Sequence, residues 1–398
     1  MYRSSLVPDI PGVDQADRPL RVLVAAESFL PQVNGVTGSV CRTLDHLRLR
    51  GHSAAVVAPT GPDEYAGAPV ITTGRVPLIG YSGFCLGVTP KRDLSRLMRL
   101  FQPDVVHLAS PFVLGATAAR TAHRLGIPVV AVYQTDVAGF ADRYGMTRWR
   151  PILERRLRGI HRLADRTLAP SHISRRQLKG LGVPRVHYWP RGVDLELFSP
   201  EKRSEARRRE IAPGGEVVVG YVGRLSPEKS LERLRGLQDL PGVRLVLAGE
   251  GPSEPGLRAL LPGAVFLGPR SGEDLAEIVA SFDLFVHTGT EETFCQSAQE
   301  ALASGVPVIG PAAGGLLERV DHGCNGLLYS PESSGSLLRA VNRLAGDPEQ
   351  RRTMGRHARA GLEGQSWQAV GDRLLDHYRA VVSAQSVPTG GERAWTHS

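Results

Sequence analysis

The sequence predicts an α/β protein that contains two doubly wound parallel sheets. Short apolar runs rich in Val, Ile and Leu alternate with longer segments of helical period from residue 20 onward. This alternation is typical of a parallel sheet covered by helices on both faces. It starts again near residue 217. A length of 398 residues fits two or three domains of ordinary size.

The predicted strands are the short apolar runs, and helical patterns lie between them. In the first half the strands are 21–26, 54–58, 104–109, 128–133, 166–169 and 185–189. In the second half they are 217–223, 243–249, 264–268, 283–287, 307–310 and 326–329. Such sheets bind ligands at the carboxyl ends of their strands. Two of them facing each other would therefore form a cleft with a loop-built site on each wall.

A break rich in Pro and Gly divides the two halves near residue 190, within the run Trp189-Pro190-Arg191-Gly192-Val193-Asp194. A break of this kind suits a linker. The predicted segments are an N-terminal extension at 1–19, a first domain at 20–190, a second domain at 191–365, a C-terminal helix at 366–385 that crosses back to the first domain, and a flexible tail at 386–398.

Charge and cysteine usage narrow the classes of partner and compartment. Lys and Arg number 48 against 40 Asp and Glu, so the formal net charge is +8, which favours anionic partners without choosing among them. The four cysteines form no C-x-x-C pair, which argues against a structural zinc site and a disulfide framework. No apolar run approaches the ~18 to 20 residues of a membrane span, and the start lacks a signal peptide. We expect a cytoplasmic protein, soluble or loosely attached to a membrane face.

The first chemical motif is Gly223-Arg224-Leu225-Ser226-Pro227-Glu228-Lys229, directly after a predicted strand and just before a helix. A glycine at the strand end permits a tight turn. Two cations five positions apart can then converge on a diphosphate. The alternative is that Arg224 and Lys229 are solvated surface charges.

The second motif runs from Glu291 to Glu300 and continues into the helical pattern QSAQEALAS. Glu292 and Glu300 stand eight positions apart, about two helical turns, so both carboxylates can face the same side and accept sugar hydroxyls. Free N–H groups at the helix start favour an anion there. The alternative is a capping Glu followed by an exposed helical Glu.

The third motif is Asn34-Gly35, after the first strand and at the start of a helix. The glycine would let a phosphate or a sugar approach the backbone closely. The sequence contains neither a G-x-G-x-x-G fingerprint nor a P-loop, which disfavours hydride transfer and ATP hydrolysis.

Together these motifs resemble those of the GT-B glycosyltransferases of retaining family 4, which carry Gly-Arg-x4-Lys and Glu-x7-Glu in their second domain. Within that family the chain is most similar to actinobacterial GDP-mannose-dependent α-mannosyltransferases that act on glycolipids. The similarity extends from residue 21 to about residue 378. The phrases that carry it are AESFLPQVNGV, DVVHLASP, VAVYQTD, HRLADRTLAPS, VGRLSPEK and ETFCQSAQEALASGVPVI.

The resemblance implies a GT-B fold, with a Rossmann-like acceptor-binding domain followed by a Rossmann-like donor-binding domain. It also implies three catalytic residues. Arg224 and Lys229 would hold the donor diphosphate and neutralise the charge that grows on it as the glycosidic bond breaks. Glu292 would bind hydroxyls of the transferred sugar. Family members need no bound metal, and the chain has no Asp-x-Asp motif.

The resemblance also implies a set of donor-binding residues. Glu300 would bind the ribose hydroxyls, and the backbone of Cys295 and Gln296 would bind the distal phosphate. Gly35, with its neighbour Asn34, would contact the donor from the first domain when the cleft closes.

One position departs from the family pattern. Members commonly carry a histidine where this chain has Gln134. A glutamine hydrogen-bonds a sugar hydroxyl but does not titrate, so proton shuttling there is in doubt. Asp136 becomes a candidate for gripping the acceptor or the sugar; its alternative is a loop Asp that caps a turn. His107 and His287, within predicted strands, are interpreted as buried core residues.

Residues 142–166 form a strongly basic run that includes Trp149 and has a partly helical apolar spacing. Such a run could dock the first domain on an anionic membrane. The alternative is a helix packed on its own sheet with a solvated charged face.

These observations predict a retaining hexosyltransferase that moves an α-mannosyl residue from GDP-mannose to a glycolipid, such as glucuronosyl diacylglycerol or a phosphatidylinositol mannoside. The predicted partners are a nucleotide sugar and a lipid-linked or small-molecule acceptor. Three alternatives stay open. The first is transfer from a UDP-hexose to a soluble metabolite, the second a non-catalytic nucleotide-sugar binder. The third, a nucleic-acid-binding protein, is disfavoured because the basic residues lack interleaved aromatic stacking platforms.

Overall fold

The computed structural model describes residues 18–32, 34–77, 85–109, 111–134 and 147–386. Its larger sheet has eight strands in the order β10-β9-β8-β7-β1-β2-β4-β3. These strands are β1 Arg21–Ala25, β2 Ser53–Ala58, β3 Glu64–Tyr65, β4 Ala68–Thr72, β7 Val105–Leu108, β8 Val129–Val132, β9 Arg166–Ala169 and β10 Val186–Tyr188. All neighbours pair in parallel except β3 with β4.

The helices of this first half cover both faces of the sheet, where apolar side chains form two separate buried clusters. They are α1 Gly35–Leu49, α2 Lys91–Phe101, α3 Leu114–Leu125, α4 Arg150–Arg162 and α5 His172–Gly180. A separate antiparallel hairpin joins β5 Gly74–Pro77 to β6 Cys85–Val88. The sequence analysis did not predict β3 to β6.

The second sheet has six parallel strands in the order β13-β12-β11-β14-β15-β16. They are β11 Val217–Val222, β12 Val243–Ala248, β13 Val265–Gly268, β14 Leu284–Val286, β15 Val308–Pro311 and β16 Gly326–Tyr329. The surrounding helices are α6 Glu205–Ile211, α7 Glu254–Leu260, α8 Gly272–Ala280, α9 Gln296–Ala303, α10 Leu316–Arg319, α11 Ser336–Ala345 and α12 Pro348–Ala360. The twelve predicted strands are all present, each with ends within one residue of the prediction.

One local prediction is corrected by the structure. The segment after Arg224 does not open an α-helix. It forms two short 3₁₀ helices, at Pro227–Lys229 and Leu231–Leu237. Ser230 separates them with a left-handed backbone, φ 50°.

The last described helix, α13 Trp367–Ser386, packs on the first domain. The hydroxyl of Tyr378 lies 2.7 Å from Nδ1 of His107, deep in the core. His107 is therefore a buried core residue, as predicted. Residues 387–398, most of the predicted tail, lie outside the described residues.

Candidate active site

The loops after β8 and β14 meet where the two domains face each other. The hydroxyl of Thr293 donates to the carbonyl of Gln134 at 3.1 Å. From α5, the hydroxyl of Ser174 donates to the carbonyl of Thr293 at 3.4 Å. The carboxylate of Glu318 accepts hydrogen bonds from the first backbone N–H groups of α5, at 2.7 Å from His172. These bonds close the cleft around the segments that carry the predicted motifs.

Three side chains of the second domain converge at the centre of this region. The ammonium of Lys229 donates to Oε1 of Glu292, and Nε2 of His287 lies 3.1 Å from the same oxygen. The side chains of Lys229 and Glu292 are only 20% and 18% exposed, and His287 is buried. The structure thus brings Lys229 and Glu292, 63 positions apart, into one ion pair.

Mutual contact decides the ionisation of this cluster. Burial alone would raise the pKa of Glu292, but Lys229 and His287 outweigh burial and hold that pKa well below its usual range. Burial alone would lower the pKa of Lys229, but Glu292 outweighs it and raises that pKa. The pKa of His287 would likewise fall on burial, yet the neighbouring Cys295 and Glu292 raise it to about 9. At neutral pH the cluster holds two cations and one carboxylate.

His287 is therefore more than the core residue that the sequence analysis expected. It is buried, but its ring contacts the catalytic candidate Glu292. His287 directly follows β14, and the return of the chain five residues later brings Glu292 to it. A strand histidine five residues before a motif carboxylate is the signal that could have indicated this contact.

The loop before α9 is shaped by its own backbone and by a glycine pair. Cys295 is the N-cap of α9 and has a left-handed backbone, φ 68°. The amide of Gly315 donates to the carbonyl of Glu292 at 2.6 Å. A Cβ at Gly315 would lie 2.7 Å from the backbone of Phe294. A glycine is needed there because the two loops touch through their main chains.

Glu300 lies one turn into α9, on the same side of the cleft as Gln296. Burial raises the pKa of Glu300 to about 7, against opposing contributions from Gln296, Arg191 and Arg42. A carboxyl group with this pKa is partly ionised at neutral pH, so nearby cations decide how much of the accepting form is present.

Two side-chain hydroxyl groups hold the backbone at Arg224 and Lys229. The hydroxyl of Tyr221 donates to the carbonyl of Arg224 at 3.0 Å. That of Thr288 donates to the carbonyl of Lys229 at 2.6 Å. Arg224 is half-buried at the end of β11. These two hydrogen bonds hold the backbone at both ends of the motif.

The first-domain candidates have protein partners of their own. Oδ1 of Asn34 accepts from the amides of Val36 and Thr37 at 3.0 Å, and its Nδ2 donates to Ser28 at 2.7 Å. Asn34 is thus the N-cap of α1, and that role occupies its side chain. Gly35 begins the helix.

The amide of Gln134 is held at both ends. Its Nε2 donates to the carbonyl of Ala109 at 2.8 Å, and its Oε1 accepts from Arg191 at 2.8 Å. Asp136 lies outside the described residues. The structure thus brings Gln134 and Gly35 together through Arg191, which the sequence analysis treated only as part of a linker.

The same cluster contains three potential metal ligands. The ligand atoms of His287, Glu292 and Cys295 lie within 4.8 Å of one another. However, Oε1 of Glu292 already accepts from the ammonium of Lys229 and faces the ring of His287. The ammonium of Lys229 thus already neutralises the carboxylate that a metal ion would need.

Two parallel-sheet domains joined by a linker, with a buried cation–carboxylate site in the cleft, define a glycosyltransferase of the GT-B class. Two family models match, "Glycosyltransferase Family 4" over residues 33–197 and "Glycosyl transferases group 1" over residues 202–361. The chain belongs to glycosyltransferase family 4. It is therefore an enzyme, a hexosyltransferase, as the sequence analysis predicted.

Two relatives are similar over nearly the whole chain. A GDP-mannose-dependent alpha-mannosyltransferase of Mycobacterium tuberculosis (strain CDC 1551 / Oshkosh) is 48% identical over 370 residues, covering 91% of this chain and 97% of the relative. A protein of the same description from Corynebacterium glutamicum is 43% identical over 381 residues, covering 93% and 92%.

Solved structures support the fold. Anabaena Alr3699/HepE in complex with UDP superposes with a TM-score of 0.75 at 20% identity, covering 91% of this chain and 100% of that one. Sucrose-phosphate synthase from Thermosynechococcus elongatus gives 0.76 at 22% identity, covering 92% and 100%. At these identities the likeness concerns the fold, and it confirms the predicted GT-B architecture.

Proposed function

We propose that this enzyme transfers an α-mannosyl residue from GDP-mannose to a glycolipid acceptor, with retention of configuration. The names of the relatives support GDP-mannose as the donor and mannose as the transferred sugar. The observation that carries the proposal is the buried contact of Lys229 with Glu292 in the cleft. It joins a cation suited to a diphosphate with an acceptor suited to sugar hydroxyls.

In this proposal the donor itself takes part in proton transfer. The bond between the sugar C1 and the diphosphate oxygen breaks, and the acceptor oxygen bonds to C1 on the same face. The acceptor proton passes to the departing phosphate oxygen. Arg224 and Lys229 stabilise the negative charge that grows on the diphosphate. Because these side chains neutralise the leaving group, the proposal includes no metal.

The other residues bind and orient the donor. Glu292, held ionised by Lys229 and His287, accepts hydrogen bonds from hydroxyls of the mannosyl group. Glu300 accepts hydrogen bonds from the ribose hydroxyls. The N–H groups of Cys295 and Gln296 at the start of α9 face the distal phosphate, where the helix dipole favours an anion. Gly35 closes on the donor from the first domain.

A surface of the first domain suits a lipid-linked acceptor. Trp149 and Ile152 are 52% and 56% exposed at the start of α4. Exposed arginines lie in the same stretch of chain, at positions 148, 150, 155, 156 and 158. Ile160, by contrast, is buried, so α4 packs by one face and leaves an amphipathic face in solvent. We name this the α4 surface and propose that it docks on anionic lipid at the cytoplasmic face of the membrane.

No helix among the residues that the structure describes is both long and apolar enough to cross a bilayer.

The donor assignment is tested by thermal unfolding with GDP, UDP, ADP and their mannose and glucose conjugates. A ligand at 100 times its Kd adds ~2.7 kcal/mol of stability. We expect GDP and GDP-mannose to raise the melting temperature by several degrees and the other nucleotides to leave it nearly unchanged. Stabilisation by UDP compounds alone would contradict the GDP-mannose assignment. It would favour the alternative, transfer from a UDP-hexose to a soluble acceptor.

The acceptor surface is tested by co-sedimentation with phosphatidylglycerol and phosphatidylcholine vesicles. We expect binding to the anionic vesicles only, weakened by salt because each basic residue contributes ~1 kcal/mol near the surface. Replacing both Trp149 and Ile152 with serine should reduce that binding about tenfold, since their apolar area no longer enters the lipid. Leu49→Ser is the control, because Leu49 is 68% exposed on another helix. Equal loss in the control, or none in the double variant, would contradict the α4 surface.

A further inference from the structure

Arg191 lies where the linker crosses the cleft, and it is buried although it belongs to a connecting segment. Only 9% of the residue is exposed. Burying a guanidinium is costly unless other groups compensate its charge. An arginine in a linker is expected to point into solvent unless specific contacts hold it in the interior.

The backbone of this linker is held by the donor helix. Nε2 of Gln299 donates to the carbonyl of Arg191 at 3.2 Å, and Nε2 of Gln296 donates to the carbonyl of Gly192 at 3.0 Å. Both glutamines lie on α9, the helix that carries Glu300. The main chain at Arg191 is thereby fixed to the second domain.

The side chain of Arg191 reaches in the other direction. Its Nη2 donates to the carbonyl of Gly35 and, at 2.8 Å, to Oε1 of Gln134. A Cβ at Gly35 would lie 2.9 Å from Nη1 of Arg191. The absence of a side chain at Gly35 therefore leaves room for the guanidinium against the start of α1. One residue thus connects both walls of the cleft.

The charge of Arg191 is not matched by a direct ion pair among the described residues. Its hydrogen-bond partners are a carbonyl and an amide oxygen, and its buried Nε has none. Burial lowers the pKa of Arg191 to about 10, although Glu300 and Glu292 oppose this. The guanidinium therefore interacts electrostatically with Glu300 and Glu292, without a hydrogen bond to either among the described residues.

Glu300 is the carboxylate that depends on this cation. Besides Arg191, it is faced by Arg42 from α1 and by the amide of Gln296 on its own helix. Arg42 is itself paired with Asp194 at 3.1 Å. Arg191 is thus the cation near Glu300 whose charge no carboxylate contacts directly among the residues that the structure describes.

We propose that Arg191 is a positioning residue for sugar transfer, which holds Gly35 and Gln134 of the first domain against the donor helix. The same cation lowers the pKa of Glu300, which supports the carboxylate that binds ribose. It acts through these residues and not by contact with the reacting atoms. The inference rests on the proposed function for the role of Glu300 toward ribose. GDP-mannose and UDP-hexoses both contain ribose and a diphosphate, so the inference holds for either donor.

The test compares Arg191→Met, Arg191→Lys and the control Arg359→Met. Arg359 donates to the carbonyls of Leu195, Phe198 and Ala303 and, among the described residues, has no ion pair with a cleft carboxylate. For each variant we would measure the melting temperature, the Kd of GDP and of UDP from pH 5.5 to 8.5, and kcat and KM for GDP release from GDP-mannose with glucuronosyl diacylglycerol.

For Arg191→Met we expect kcat to fall about 100-fold, because a small misplacement of the reacting groups has effects of that size. The acid limb of nucleotide binding is the range in which the Kd rises as the pH falls and Glu300 is protonated. This range should move up by about one pH unit, because Glu300 loses a nearby cation. Arg191→Lys should keep the acid limb of the native enzyme but lose at least tenfold in kcat, since an ammonium does not reproduce the two-acceptor contact.

Two results would overturn the inference. One is a kcat for Arg191→Met within threefold of the native enzyme. The other is a loss in kcat with the acid limb unmoved and no greater than that of Arg359→Met, since a purely structural role would produce it. If native protein prefers UDP to GDP, the donor assignment fails while the Arg191 comparison proceeds with UDP.

Discussion

Replacement of Lys229 by methionine is expected to lower kcat about 10³-fold, a loss typical of removing a preorganised group that stabilises transition-state charge. The ammonium is buried beside Glu292, where its field is stronger than in water. Methionine keeps most of the side-chain volume. Glu292 also retains His287 at 3.1 Å, so the variant should fold. Kinetics of GDP release and the far-ultraviolet circular dichroism spectrum check both statements.

The matched control is Lys202→Met. Lys202 pairs with Glu273 at 2.7 Å on the surface of the same domain, and exposed pairs of this kind contribute little to stability. Its kcat should stay within twofold of the native value. A kcat for Lys229→Met within tenfold of native, with the control unchanged, would remove Lys229 from the proposed phosphate-binding pair.

The strands were predictable because buried parallel strands are contiguous apolar runs. VVVGYVG and LVLAG in the second domain read as strands on sequence alone. The segment between β2 and α2 behaves differently. It contains β3, only two residues long, and strands interrupted by Gly and Pro. Such strands have little apolar periodicity. They form because β5 pairs with β6 and β4 pairs with β2, which the sequence pattern does not reveal.

The site was predictable where a motif lies in one stretch of chain. Lys229 and Glu292 follow strands that end at one sheet edge, so their contact follows from topology. Arg191 has no local signal. Its role arises because the linker passes between Gly35 and α9, residues more than a hundred positions away on either side.

Asn34 has a second role that the sequence analysis did not consider. The turn before a helix suggested ligand contact, yet an Asn at that position is also a preferred N-cap. The structure gives its side chain to the amides of Val36 and Thr37. Sequence alone does not separate these roles, because both require the same residue at the same helix start.

Replacement of Glu292 by glutamine is expected to lower the free energy of unfolding by about 3–5 kcal/mol, the usual loss when one member of a buried pair is removed. Glutamine has almost the same shape but no charge. The ammonium of Lys229 and the ring of His287 then lie buried without their shared carboxylate. Denaturant unfolding of both proteins at pH 6 measures the difference.

The pH dependence distinguishes this cluster from an ordinary ion pair. The lowered pKa of Glu292 contributes stability above its unfolded value of 4.5, which is lost as the pH falls toward the folded pKa. The raised pKa of His287 contributes stability below its unfolded value of 6.5, which is lost as the pH rises through about 9. The difference between native protein and Glu292→Gln should therefore be largest near pH 6 and smaller at pH 9.5, where only Lys229 still pairs with Glu292.

Glu216→Gln provides the comparison for this pH series. Glu216 pairs with Arg244 at 2.8 Å, its side chain is 20% exposed, and no histidine contacts it among the described residues. Its loss of stability should be smaller and constant between pH 6.5 and 9.5, since the pKa of Glu216 is lowered from an already acidic value. A flat difference for Glu292→Gln over the same range would show that His287 does not share its proton with Glu292. The cluster would then reduce to the single pair of Lys229 with Glu292.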